Sequence, residues 1–400
     1  MQARRWWYSA VLAVLATMTS QAMAASGVTG ETISWNAPEG DIKAFVVEQA
    51  SLLKAAPGSA EAVKVRQEVL AALRTTKTRA GAAPSDFQRK LARAVADDFG
   101  PLVLDDKPNV ALNAVMTVAL VGVGQIETDS ALVAALKSPN ASVRYWAAKG
   151  LVDLIGVPSF KLIGGAYMRA VDGLGGALRL ENSPLVREQL IKALTASGSV
   201  KAVDPLLDAL KTMSLTMQST PPDGVTLVAA KANIDALTAL AGKSDKSLDG
   251  TPDAPMLPLH VLDNPRVVMA VQATVNLMSF SAQHLLAAGG TPAAANLQGD
   301  VFNVAKAGVD LINKLAGKEV AALGGLKASS SVADMVDTIR VLTGGDAEDG
   351  KVQGAFKTVK KPEKIQVKPA GAVASQPTTA VTKPATAPQT APKTTPKPKG

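Results

Sequence analysis

The chain of 400 residues has no cysteine. That excludes disulfides, thiolate metal sites and a lipidated N-terminal cysteine, and it leaves packing as the source of stability. Histidine is nearly absent, with His260 and His284 the only two. Neither stands in a His-Glu pair or a His-x-x-x-His spacing, the patterns by which a helix presents metal ligands, so both are expected to be structural. Aromatic residues make up 4% of the chain, and strand-type runs are scarce. Charge is missing between Lys107 and Glu127. A membrane segment would read this way, and so would a helix buried on most sides. Pro108, Gly122, Asn109, Asn113, Thr117 and Gln125 interrupt the stretch and favour the buried helix.

Catalytic signatures are missing as well. Gly242-Lys243-Ser244 resembles the end of a phosphate loop, but Leu237 occupies the place of its first glycine and no strand precedes it. Glycines 173, 175 and 176 fail the dinucleotide spacing, because Leu178 stands where the third glycine belongs. No Gly-x-Ser-x-Gly elbow occurs. Asp97-Asp98 and Asp105-Asp106 lack the alternation of a calcium loop and are expected at a helix end and a turn. No catalytic, cofactor-binding or metal-binding residue is assigned, and a non-enzymatic protein is expected.

What the chain does have is alanine, leucine and valine at helical spacing. Arg4 and Arg5, the apolar run Val11 to Met18 and Ala22-Met23-Ala24 form the three parts of a secretory signal peptide over 1–24. Export to the periplasm, cell envelope or exterior is expected, with no integral membrane segment after cleavage. Ala3 stands where a twin-arginine signal carries Ser or Thr, and the choice of export route stays open. An extension and first helix occupy 25–58, with Trp35 expected to dock on the first helices. Further helices follow to Leu342, punctuated by Gly100-Pro101, Pro221-Pro222-Asp223-Gly224 and an irregular insertion at 242–263. The Gly-rich stretch 158–180 keeps helical spacing, and its glycines either permit close packing or break the helix near Gly173.

The run Ser138-Pro139-Asn140-Ala141-Ser142-Val143-Arg144-Tyr145-Trp146-Ala147-Ala148-Lys149-Gly150-Leu151 pairs a turn with a helix whose face carries Val143, Trp146, Ala147 and Leu151. A related piece recurs from Ser183-Pro184-Leu185-Val186-Arg187 to Ala193-Leu194. These residues resemble HEAT-type helical repeats, in the broad sense that includes the PBS-lyase-type repeats. The resemblance implies an all-α fold, an α-solenoid of stacked antiparallel helix pairs over 59–345. Anchoring pairs Val110/Val118, Val143/Leu151, Val186/Leu194, Ala229/Leu237 and Val267/Val275 recur at intervals that suit such repeats. In HEAT-like arrays an arginine placed like Arg144 or Arg187 often pairs with an acid of a neighbouring turn; the turns here offer only Glu181, with Asn140 and Asn182.

Two places are candidates for contact with other molecules. In 267–288 no charge occurs, and Gln272, Asn276, Ser279 and Gln283 form a neutral polar stripe beside the apolar one. Either neighbouring elements of the array cover that stripe, or it faces a protein partner, since neutral amides desolvate more cheaply than charges. Residues 346–400 are the second place. Within 351–400 stand ten lysines and one acid, Glu363, giving +9. The whole chain carries +8 and the signal peptide +2, so the body is near −3. Proline, lysine, alanine and threonine dominate this tail, and disorder is expected over 346–400. Lys360, Lys361, Lys364, Lys368, Lys383, Lys393, Lys397 and Lys399 are candidate contacts to an anionic envelope polymer or lipid headgroups. The lack of aromatics and the expected export argue against nucleic acid. The expected function is an exported, non-catalytic scaffold for protein–protein interaction. The alternatives are a structural envelope component or a HEAT-like enzyme without a recognisable motif.

Overall fold

A computed structural model describes residues 29–365, apart from 31–32, 34–35, 57, 81–84, 162, 245–254, 290, 346–347 and 364. The expected signal peptide, Trp35, residues 245–254 of the 242–263 insertion and the chain beyond Ile365 lie outside the described residues. Among the described residues all regular structure is helical. The helices are α1 (Glu39–Ala55), α2 (Ser59–Ala80), α3 (Ser85–Phe99), α4 (Pro108–Val121), α5 (Asp129–Ala135), α6 (Ala141–Ile155), the short α7 (Pro158–Lys161) and α8 (Gly164–Leu180). They continue as α9 (Pro184–Ser197), α10 (Val203–Ser219), α11 (Gly224–Leu240), α12 (Pro265–Ala288), α13 (Pro292–Ala316), α14 (Val332–Thr343) and α15 (Lys351–Ala355). Proline opens α4, α9, α12 and α13, where its missing N–H costs nothing. The side chains of Asn140, Asp223, Asn264, Thr291 and Ser331 cap α6, α11, α12, α13 and α14.

The helices stack in two layers. In the first, α1, α3, α5, α8, α10, α12 and α14 follow one another; in the second, α2, α4, α6, α9, α11 and α13 do. Each first-layer helix up to α12 packs on the second-layer helix that follows it in the chain, as α4 follows α3 and α13 follows α12. The architecture is the α-solenoid expected from the repeat resemblance. One detail differs. Val110, Val143, Val186 and Ala229 all sit in the second layer, whereas Val267 opens α12 in the first. The second-layer successor of α11 is α13, so the fifth anchor is out of register.

Helix α4 shows why a stretch without charge belongs here. Val110, Ala114, Val115 and Val118 are fully buried, and neighbours α2, α3 and α6 enclose it. Its polar residues are satisfied inside the stack. Arg66 of α2 donates to Asn113 Oδ1 at 2.8 Å, Asn113 Nδ2 donates to the Asn109 carbonyl at 2.8 Å, and Thr117 Oγ1 donates to the Asn113 carbonyl at 2.7 Å. No helix among the described residues is long and apolar enough to cross a membrane. In the Gly-rich stretch, close packing wins over breakage. Helix α8 runs unbroken through Gly173, where a Cβ would stand 2.9 Å from Val133 Cγ1 of α5. The interruption falls earlier, between α7 and α8.

The inter-repeat ion pair is complete. Arg144 of α6 grips Glu181 of the α8–α9 turn bidentately, Nε to Oε2 at 2.7 Å and Nη2 to Oε1 at 2.9 Å. Its Nη1 also donates to the Ser138 and Pro139 carbonyls at 2.9 Å. Arg187 in the next repeat donates in the same way to the Glu181 carbonyl, six residues back, as Arg144 does to Ser138. One acid therefore serves two repeats. Three more pairs stitch the first layer, Arg169–Asp129, Arg179–Asp208 and Arg266–Asp204. Arg179–Asp208 and Arg266–Asp204 are partly to largely exposed and contribute little, whereas Asp129 is buried beneath an exposed Arg169. Trp146 is half-buried rather than wholly inward, with Lys149 Nζ 4.5 Å from its ring centroid.

Burial pushes the Glu181 carboxyl up, but the Arg144 hydrogen bonds, the backbone N–H groups of Ser183 and Asn182 and the Arg144 charge outweigh it and hold the group below its ordinary value. A depressed carboxyl stabilises the fold above its unfolded pKa, about 4.3 for glutamate, and that contribution is lost as pH falls through the folded value. Removing Arg144 leaves Glu181 buried and unpaired, at a cost of about 3 kcal/mol. Thermal melts should therefore place Arg144→Ala well below the wild type at pH 7, with the gap narrowing below about pH 4. Equal melting temperatures at pH 7 would rule the pair out as a structural element.

Candidate interaction surface on helix α12

Helix α12 is enclosed almost all round. Its apolar stripe, Val271, Val275, Met278, Ala282 and Leu285, is buried against the array, where α10, α13 and α14 are its neighbours. The neutral stripe is half-buried to buried at all four positions. What covers it is the chain's own C-terminal segment. After α14 the chain turns at Gly344 and Gly345, forms α15, and runs on without regular structure to Ile365. Val352, Phe356, Val359 and Ile365 are buried.

This corrects the domain boundary expected at Gly345. Residues 348–363 and Ile365 are part of the folded body, because four apolar side chains outweigh the local abundance of lysine and proline. Pro362 sits in the segment without disturbing it, since the two backbone N–H groups bound by α12 belong to Lys360 and Ile365. Gln272 Oε1 accepts from the Lys360 N–H at 2.6 Å, and Gln272 Nε2 donates to the Lys360 carbonyl at 3.0 Å. Gln283 Oε1 accepts from the Ile365 N–H at 3.1 Å. Asn276 Oδ1 receives Gln272 Nε2 at 3.0 Å, and Ser279 Oγ receives Gln283 Nε2 at 3.0 Å. All four stripe residues are thus spent on one task. Two bond the segment's backbone and two orient those that do. From α10, Gln218 Nε2 donates to Glu363 Oε2 at 2.7 Å.

Of the candidate polyanion contacts, Lys360 and Lys361 are described and exposed, and Lys361 Nζ lies 3.4 Å from Asp349. Lys364, Lys368, Lys383, Lys393, Lys397 and Lys399 lie outside the described residues.

The two histidines have structural places. His284 is buried on α12, and its Nε2 lies 2.7 Å from the Met217 carbonyl. A carbonyl only accepts, so Nε2 carries the proton. Met217 stands in the last turn of α10, whose final carbonyls have no partner within the helix. His260 adopts φ 62°, donates its N–H to the Leu315 carbonyl at 2.8 Å, and lays its ring over Gly317 at the end of α13. A Cβ at Gly317 would fall 1.6 Å from His260 Cε1, so only glycine fits. Among the described residues no three His, Asp or Glu side chains are grouped to hold a metal. Asp105 Oδ1 accepts from the Lys107 N–H at 2.9 Å within its turn. Burial pushes the Asp98 carboxyl up, against the Lys43 charge. An open groove of about 620 Å³ lies between α5 and α8, over Val133, Leu136, Gly173 and Leu180, with the Arg144–Glu181 pair in its wall.

Stacked helix pairs of this kind define a helical-repeat protein. The model of the HEAT repeats matches residues 130–215, which spans α5 to α10 and includes both arginine-bearing turns. Two solved structures of engineered proteins, both Northeast Structural Genomics Consortium targets, are similar at 16% identity over 67% of this chain. The first is covered over 96% of its length with a TM-score of 0.36, the second over 97% with 0.28. Nothing among the curated proteins matches the chain.

Replacing His284 by alanine leaves the Met217 carbonyl buried without a donor, which costs about 1–3 kcal/mol. The His284→Ala chain should unfold at a lower denaturant concentration than the wild type. An unchanged midpoint would exclude the helix-capping role.

Proposed function

We propose that this chain is an exported, non-catalytic scaffold that holds other proteins on its helical-repeat surface and uses its basic C-terminal tail as a tether. The observation that carries this reading is the division of charge across a fastened joint. Up to the joint at Ile365 the body from Ala25 carries about +1, whereas 366–400 carries +5. The body ends at Ile365, held on α12 and α10, so the lysines beyond it depart from one defined place on the solenoid. Residues 366–400 hold five lysines and no acid. A segment of that composition is drawn to anionic surfaces, and in an exported protein those are envelope polymers and lipid headgroups. HEAT repeats commonly present extended surfaces to proteins, which supports the scaffold role. The leader over 1–24 supports export.

Retention on isolated envelope material separates the tether from a passive spacer. The full mature chain should bind at low ionic strength and be released progressively as salt rises, over the range in which the Debye length falls from about 30 to about 10 Å. The chain ending at Ile365 should pass through unretained. Equal retention of the two would refute the tether.

A further inference from the structure

The four residues of the α12 stripe do more than fill a gap. Gln272 bonds both backbone polar groups of Lys360, and Gln283 bonds the backbone N–H of Ile365. These contacts read a main chain and not a side chain. From Gln272 to Gln283 is eleven residues of helix, about 16.5 Å at 1.5 Å per residue. From Lys360 to Ile365 is five residues, about 16.5 Å at 3.3 Å per residue. The amides are therefore spaced for an extended strand running in the direction of the helix, and a compact segment would miss one of them. Asn276 and Ser279 accept from the two glutamine amides and orient them toward the segment. Because the stripe is neutral, it is cheap to desolvate and to leave wet.

We propose that the amide face of α12 is a binding groove for a peptide that turns at 357–358 and then runs on extended, and that residues 356–365 of this chain are its ligand in cis. The groove takes in trans a peptide of the same chemistry. It needs an apolar residue at the places of Phe356, Val359 and Ile365, and an acid at the place of Glu363 to meet Gln218. Recognition through main-chain bonds with pockets for a few side chains is a general mode of peptide capture. The cis segment holds the groove through its high effective concentration, of millimolar order for a short connection, so a trans peptide competes poorly until that connection is broken. The proposal does not depend on what the tail beyond Ile365 binds.

A protease site placed at 346–347 in the full chain, cut after folding, tests this. Size-exclusion chromatography at micromolar protein should show the 348–400 fragment co-eluting with the body. A fluorescent peptide of residues 350–368 should exchange into the cut chain by anisotropy. The uncut chain should bind it at least about ten-fold more weakly, as expected from the cis competition. In the cut chain, Gln272→Ala should weaken binding by about ten-fold or more, since it removes both hydrogen bonds to Lys360. Circular dichroism of the cut chain separates a ligand from a part of the core. Loss of the helical signal on cutting would overturn the proposal. So would separation of the fragment, failure of the labelled peptide to enter, or identical binding by the Gln272→Ala chain.

Discussion

A helix inside a two-layer stack has little water to turn to, so each polar group it carries must find a protein partner or remain at a cost. That constraint organises this molecule more than its apolar pattern does. Asn113 is held by Arg66, Glu181 by Arg144, the Met217 carbonyl by His284, and Gln272 by the backbone of Lys360. Each bond joins elements distant in sequence, and each fixes how one helix sits on another. A few buried atoms, Thr274 Oγ1 and Asn233 Oδ1 among them, have no partner among the described residues.

A solenoid also has to finish. Every helix of the array is covered by its successors, but the last ones have none, and repeat arrays close with atypical units for this reason. Here the closure is a short helix followed by an extended segment that returns across α12 and α10. Its neutral amide bonds make the closing surface specific without burying a charge. The same segment carries the start of the lysine-rich tail, so closing the array and placing the tail are one structural event.

Much of the fold was legible in the chain. Pro184, Pro265 and Pro292 mark helix starts, Asn140 marks the turn into α6, and the Val143 and Val186 helices occupy equivalent places in one layer. The absence of charge on α4, and on α12 from Val267 onward, signals helices enclosed by neighbours. The anchor at Val267 misled, because an eight-residue apolar spacing marks a buried helix in either layer. Glu181 was visible in the α8–α9 turn, but its pairing with Arg144 spans 37 residues. The C-terminal boundary was missed for a similar reason. Lys360 and Gln272 are 88 residues apart, and local composition around Lys360 is that of a disordered tail. The available signal was the set Val352, Phe356, Val359 and Ile365, which is more apolar than anything downstream.

The central claim is that the segment ending at Ile365 is seated on the amide face of α12. Amide hydrogen exchange in the intact full-length chain tests it residue by residue. If the account is right, the amides of Lys360 and Ile365 exchange far more slowly than those of residues 370–400. If they exchange as fast as that tail does, the segment is not seated and the account fails.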